Sequence, residues 1–204
     1  MNFGPADGLY FRPHLPDLWR KPVIDLKPAC HRMVEVLQRV TDDQLTSSSP
    51  CAEYTVADLI DHVDLVSRGS VALVRQDSGE LPDTDDAHSS PGWRDSVAQH
   101  VLALGKAWDE PAAWQGRTDV AGLELPNELW GKIALTELVV HGWDIAKATG
   151  QPFDLPEHTV RACFDHVAEF VPAAPIPALR GPAVNVASDA TLLDQIVAIT
   201  GRVP

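Results

Sequence analysis

Glu137 and His141 stand four residues apart in Thr136-Glu137-Leu138-Val139-Val140-His141-Gly142-Trp143-Asp144. On a helix that spacing puts both side chains on one face, about one turn apart. A carboxylate and an imidazole so placed are two ready-made metal ligands. His62, in Leu59-Ile60-Asp61-His62-Val63, is a third candidate. It interrupts an apolar helical pattern, where a histidine needs a reason to be. Two histidines and one glutamate from two helices leave one coordination position open, and an open position is what a catalytic metal requires.

Each part taken singly has a plainer reading. Glu-x-x-x-His arises by chance on many helices as a surface ion pair, and a lone inward histidine is commonly hydrogen-bonded to backbone or a carboxylate. The neighbours favour the metal. Leu138, Val139, Val140, Ile145 and Ala146 imply a packed helix, and a glutamate is rarely buried without a partner. The other histidines offer less. His14 lies near the N-terminus, His31 among exposed residues, His88 in an acidic stretch and His158 at a helix start. His100 and His166 lie on helices without an obvious metal-ligating partner, so a surface or packing role is expected for all six. Trp143-Asp144 reads as a helix anchor, with Asp144 capping nearby backbone. The acidic run 83–86 lacks the glycine and terminal glutamate of a calcium loop and reads as solvated. Cys51 reads as an ordinary loop cysteine, a reactive thiol being the sharper alternative. No GxSxG, P-loop or GxGxxG signature is present.

The elements that must position these residues are helical. Leu26, Cys30, Met33, Val34, Leu37 and Val40 recur at spacings of three and four, which predicts a helix over 24–40. Thr55-Val56-Ala57-Asp58 resembles a capping box that opens a second helix running to about 76. Its stripe of Leu59, His62, Val63, Val66, Ser70 and Leu73 turns His62 inward. A third helix is expected over 93–108, with Val97, Val101 and Leu104 on one side. A fourth runs over 128–149 and stops at Gly150, a good residue just past a helix end. Pro156 opens a fifth to about 170, and 190–199 forms a short last one. Between them lie an irregular arm over 1–23, a surface loop over 77–91 and a long connection over 110–127 with a hairpin at 120–125. A proline-rich linker over 171–182 and a short strand at 184–187 complete the reading. The fold class is therefore all-α, a four-helix bundle with short extra C-terminal helices and minor strand, forming one domain over 24–204.

Composition sets the outer bounds. The chain has 204 residues, 45% of them hydrophobic, with a formal net charge of -13. That is globular, and its charge opposes phosphate backbones and anionic lipid, so neither nucleic acid nor membrane is expected as a partner. No apolar run reaches transmembrane length, and the N-terminus has no secretory h-region. Three widely spaced cysteines, Cys30, Cys51 and Cys163, fit a reducing cytoplasm.

Two stretches carry a family resemblance. Pro50-Cys51-Ala52-Glu53-Tyr54-Thr55 leads into Leu59-Ile60-Asp61-His62, and 137–150 reads E-L-V-V-H-G-W-D-I-A-K-A-T-G. Over about 24–204 the chain resembles the DinB/YfiT-like four-helix metalloproteins. Within them it is most similar to the actinobacterial branch that includes mycothiol-dependent maleylpyruvate isomerase. The resemblance implies that His62, Glu137 and His141 bind one divalent metal, usually zinc. It also implies a low-molecular-weight thiol, mycothiol, as cosubstrate, used for S-transfer to a small electrophile or for its isomerisation. Tyr54 departs from the tryptophan that relatives often carry, 1–23 has no counterpart, and neither has the full isomerase's additional C-terminal domain. Two other functions use the same residues: metal-assisted hydrolysis with water in the open position, and a non-catalytic module whose metal is structural. Arg75 or Arg94 could orient an acidic group of a substrate.

Overall fold

Thr55 starts the helix that carries His62 through a reciprocal pair of bonds. Its hydroxyl accepts from the Asp58 backbone N–H, and the Asp58 carboxylate accepts from the Thr55 backbone N–H at 2.8 Å. This is the capping box expected from the sequence, and it satisfies donors that a helix start leaves over. The computed structural model describes residues 23–76, 86–120, 122–173 and 182–204. The arm expected over 1–23 and the acidic run 83–86 fall largely outside the described residues.

Six α-helices and one hairpin are present among them: α1 Lys27–Arg39, α2 Val56–Arg75, α3 Trp93–Ala107, β1 Arg117–Val120, β2 Leu123–Pro126, α4 Asn127–Ala148, α5 Glu157–Ala173 and α6 Leu192–Ile199. α1 and α2 each pack against both α3 and α4, so the four long helices close a ring around one core. Met33, Leu37, Leu59, Ile60, Leu104, Leu135, Leu138 and Ile145 are fully buried there. α5 then covers α4, and α6 packs on α5. The fold is all-α with a minor hairpin, and among the described residues no helix is long and apolar enough to cross a membrane.

α4 is buried on nearly all sides from Ala134 to Ala146. A helix apolar all round belongs in the middle of a protein, and here α1, α2 and α5 surround it. Its end is a Schellman motif: Gly150, at φ 69°, donates to Lys147 O, and Gln151 donates to Ala146 O at 2.8 Å. At its other end, Gly131 lets two tryptophans close over the helix. A Cβ there would lie 2.7 Å from the Trp114 ring and 2.8 Å from the buried Trp108 ring. The two rings pack edge to face, 5.1 Å apart. Alanine for glycine inside a helix ordinarily gains up to about 1 kcal/mol. At Gly131 overpacking reverses the sign, and Gly131→Ala should destabilise by about 1–3 kcal/mol. A chemical denaturation midpoint checks this, and a higher midpoint would refute it.

Two sequence expectations need correction. Residues 184–187 form no strand. Val184 donates one bond to Ala198 O of α6 at 2.9 Å, so its described backbone partner is a helix, and β1–β2, the one sheet among the described residues, does not include this stretch. The proline-rich linker also starts later than expected, because α5 continues through Pro172 to Ala173. The hairpin, by contrast, is real and longer than expected, pairing Arg117 with Pro126 and Val120 with Leu123.

Candidate metal centre

α2 and α4 lie side by side, and the ring of helices turns His62 toward Glu137. His62 Nε2 and His141 Nε2 each lie 3.0 Å from the same atom, Glu137 Oε2. The two imidazole rings meet edge to face with centroids 4.9 Å apart. The three sequence-predicted residues therefore converge, with one ligand atom from each within 4.8 Å of the others. Helical spacing accounts for Glu137 and His141, and the apolar stripe of α2 accounts for His62.

A fourth residue, Asp144, was expected to cap backbone and does something else. Its carboxylate, 0% exposed, receives His141 Nδ1 at 3.0 Å. Arg202, from the segment after α6, grips both oxygens, with Nε 3.2 Å from Oδ1 and Nη2 2.9 Å from Oδ2, the oxygen it shares with His141. Arg202 is itself buried and donates to Thr200 O. The sequence signal for Asp144 was its i, i+3 spacing from His141 on a buried helix. Nothing local pointed to Arg202, 58 residues further on.

The hydrogen-bond chemistry of His141 is unusual. A carboxylate only accepts, so Asp144 requires a proton on Nδ1. That leaves Nε2 aimed at a second carboxylate, Glu137. The contact is favourable only if Nε2 also carries a proton or if a cation lies between the two. In the metal-free chain the proton does this. Burial works to lower the basicity of His141, but the hydrogen bonds to Asp144 and Glu137 outweigh it and push its pKa up to about 9. Burial likewise works to raise the Glu137 carboxyl, but hydrogen bonds from His141 and His62, with their positive charge, hold it well below the usual carboxylate range.

Cys51 lies beside this cluster, its sulfur within 4.8 Å of ligand atoms of His141 and Asp144. That second group is a poorer cation site, because the Arg202 guanidinium already neutralises Asp144. Burial raises the Cys51 thiol, and it pushes Cys30 and Cys163 up to about 12. None of the three is a thiolate at neutral pH. Tyr54, 39% exposed, stands with its ring 6.0 Å from that of His62 and forms an aromatic edge on the solvent side.

The remaining candidates have other roles. His88 donates backbone N–H and Nδ1–H to Asp61, docking its turn on α2. His100 has the carboxylate partner that its own helix lacks, Asp64 of α2. His166 is buried and stacked on Phe170. His31 and His158 are exposed, and His14 lies outside the described residues. Arg94 is committed to Val40 O and Asp42 and lies over the Trp93 ring, so it is not available to a substrate.

A helical bundle with a His-Glu-His cluster facing inward from adjacent helices has the arrangement in which bundle metal sites are built. The family model of the mycothiol maleylpyruvate isomerase N-terminal domain matches residues 26–146, and the chain belongs to that family. Two uncharacterized proteins from two strains of Mycobacterium tuberculosis are each 31% identical to it over 147 residues, covering 68% of this chain and 74% of their own length. No solved structure gives a significant match.

Proposed function

We propose that the chain is a divalent-metal-dependent enzyme that activates a low-molecular-weight thiol, mycothiol, in the cytoplasm. The thiol would serve for S-transfer to a small electrophilic substrate or for its isomerisation. The observation that carries this reading is the meeting of His62 Nε2, Glu137 Oε2 and His141 Nε2 on adjacent helices, with Asp144 behind His141.

The donor set fits zinc. Two imidazole nitrogens and one carboxylate oxygen are ligand types that zinc takes, and they leave a position for a further ligand. The two nitrogens here lie 3.0 Å from the glutamate oxygen. His62, Glu137 and His141 are the residues that would hold the ion. When bound, zinc stabilises thiolate over thiol and so supplies a nucleophile at neutral pH. The protein's own residues do the rest. Asp144 fixes the His141 tautomer, keeping the Nε2 lone pair toward the ligand position and raising its donor strength. Arg202 holds Asp144 in place. Tyr54 offers an aromatic surface where a substrate would enter.

The test is calorimetric. Mycothiol titrated into zinc-loaded protein should bind far more tightly than into metal-free protein. Equal affinity for both forms, or none for either, would remove the thiol. Turnover of an ester or amide without any thiol would point to hydrolysis instead.

A further inference from the structure

A second polar cluster lies on the other side of α2. Asp64 is two residues from His62, so the two side chains leave the helix in nearly opposite directions. Asp64 is buried, and both of its oxygens are used. Oδ2 accepts from Arg68 Nε at 2.7 Å, and Oδ1 accepts from His100 Nδ1 of α3 at 2.6 Å. One buried carboxylate thereby fixes a guanidinium and an imidazole from two helices.

Above it opens a cavity of about 350 Å³ between α2 and α3, lined by Arg68, Val71, Ala72, Arg75, His100 and Ala103. Its size lies at the small end of ligand sites. Its charge runs against that of the molecule. The chain carries a formal net charge of -13, yet among the described residues lining this cavity every ionisable group is basic. Arg75 makes no ion pair among the described residues, and His100 Nε2 has no partner there, since Nδ1 takes the bond to Asp64. Val71, Ala72 and Ala103 supply an apolar wall. Arg75 also stands in the last turn of α2, where a cation complements the helix dipole. That role explains the residue but not the cavity, the apolar wall or the oriented histidine.

From this we infer that the α2–α3 cavity is a binding site for a small organic anion. A carboxylate or phosphate-ester head meets Arg75 and His100, and an apolar body lies against Val71, Ala72 and Ala103. Arg68 lines the cavity with its charge met by Asp64, and the planar guanidinium of Arg75 suits either head group. The site is separate from the metal centre and stands whether or not the thiol chemistry does.

The experiment is an NMR titration of the full chain with benzoate, phenyl phosphate and inorganic phosphate. One of the two aromatic anions should shift the resonances of residues 68–75 and 100–103 saturably, leaving those of Glu137 and His141 in place. Saturation by benzoate assigns a carboxylate and saturation by phenyl phosphate a phosphate ester, and either supports the site. Arg75→Gln should weaken that binding at least tenfold, with metal content and denaturation midpoint unchanged. Three results would overturn the proposal: no shift at these positions with either aromatic anion, unchanged affinity in Arg75→Gln, or inorganic phosphate binding as tightly as phenyl phosphate.

Discussion

Replacing Arg202 by Met is expected to cost up to about 3–5 kcal/mol of stability, because it leaves the buried Asp144 carboxylate with His141 as its one remaining cationic partner among the described residues. Asp144 is 0% exposed. The loss should appear as a lower urea midpoint at unchanged slope. The double variant Asp144→Leu/Arg202→Met separates stability from function. Removing both charges should restore most of the lost stability, since a well-packed apolar pair often matches a buried ion pair. It should still weaken zinc binding by about 10–100-fold, because His141 loses the carboxylate that orients it. A double variant that remained as unstable as Arg202→Met would refute the charge argument.

Glu137→Gln has the second large effect. It keeps the shape but removes the anionic oxygen on which both histidines converge. Loss of a direct ligand should exceed the effect of a supporting residue, so zinc affinity should fall by more than about a hundredfold. Thiol-dependent turnover should go with it. Competition with a colorimetric chelator measures the first, and retention of near-wild-type affinity would remove Glu137 from the site. The metal-free protein gives a companion signature in pH. The Glu137 carboxyl is held below its ordinary 4.5. Its contribution is therefore present above that pH and is lost as pH falls. His141 is raised from 6.5 to about 9. Its contribution is full below 6.5 and is lost as pH rises through about 9. Metal-free wild type should thus be most stable between these limits, and Glu137→Gln should flatten both flanks of the profile.

The parts of this molecule that were legible in the sequence are those that repeat locally. Helical periodicity found α1 to α4, the Thr55–Asp58 box gave the start of α2, and Gly150 gave the end of α4. Glu137 and His141 share a face by spacing alone, and His62 followed because its stripe faced inward. What stayed hidden depends on distant residues. Arg202 reaches Asp144 across 58 positions, and Asp64 finds His100 across 36. The error at 184–187 has the same origin. Alternating Val184 and Val186 suit a strand, but a strand needs an edge to pair with, and no local pattern reveals that the neighbours are helices.

The same separations bear on the order of events in folding. His62 and Glu137 are 75 residues apart, and Asp144 and Arg202 are 58 apart. The chain must close those loops before the contacts stabilise it, whereas the turns of α2 and α4 need no such closure. The contacts of the centre are therefore expected to be absent from the rate-limiting barrier. Arg202→Met should then leave the refolding rate nearly unchanged and accelerate unfolding by almost the whole of its stability loss. The lifetime of the folded chain, not the speed of reaching it, is what this buried arginine governs.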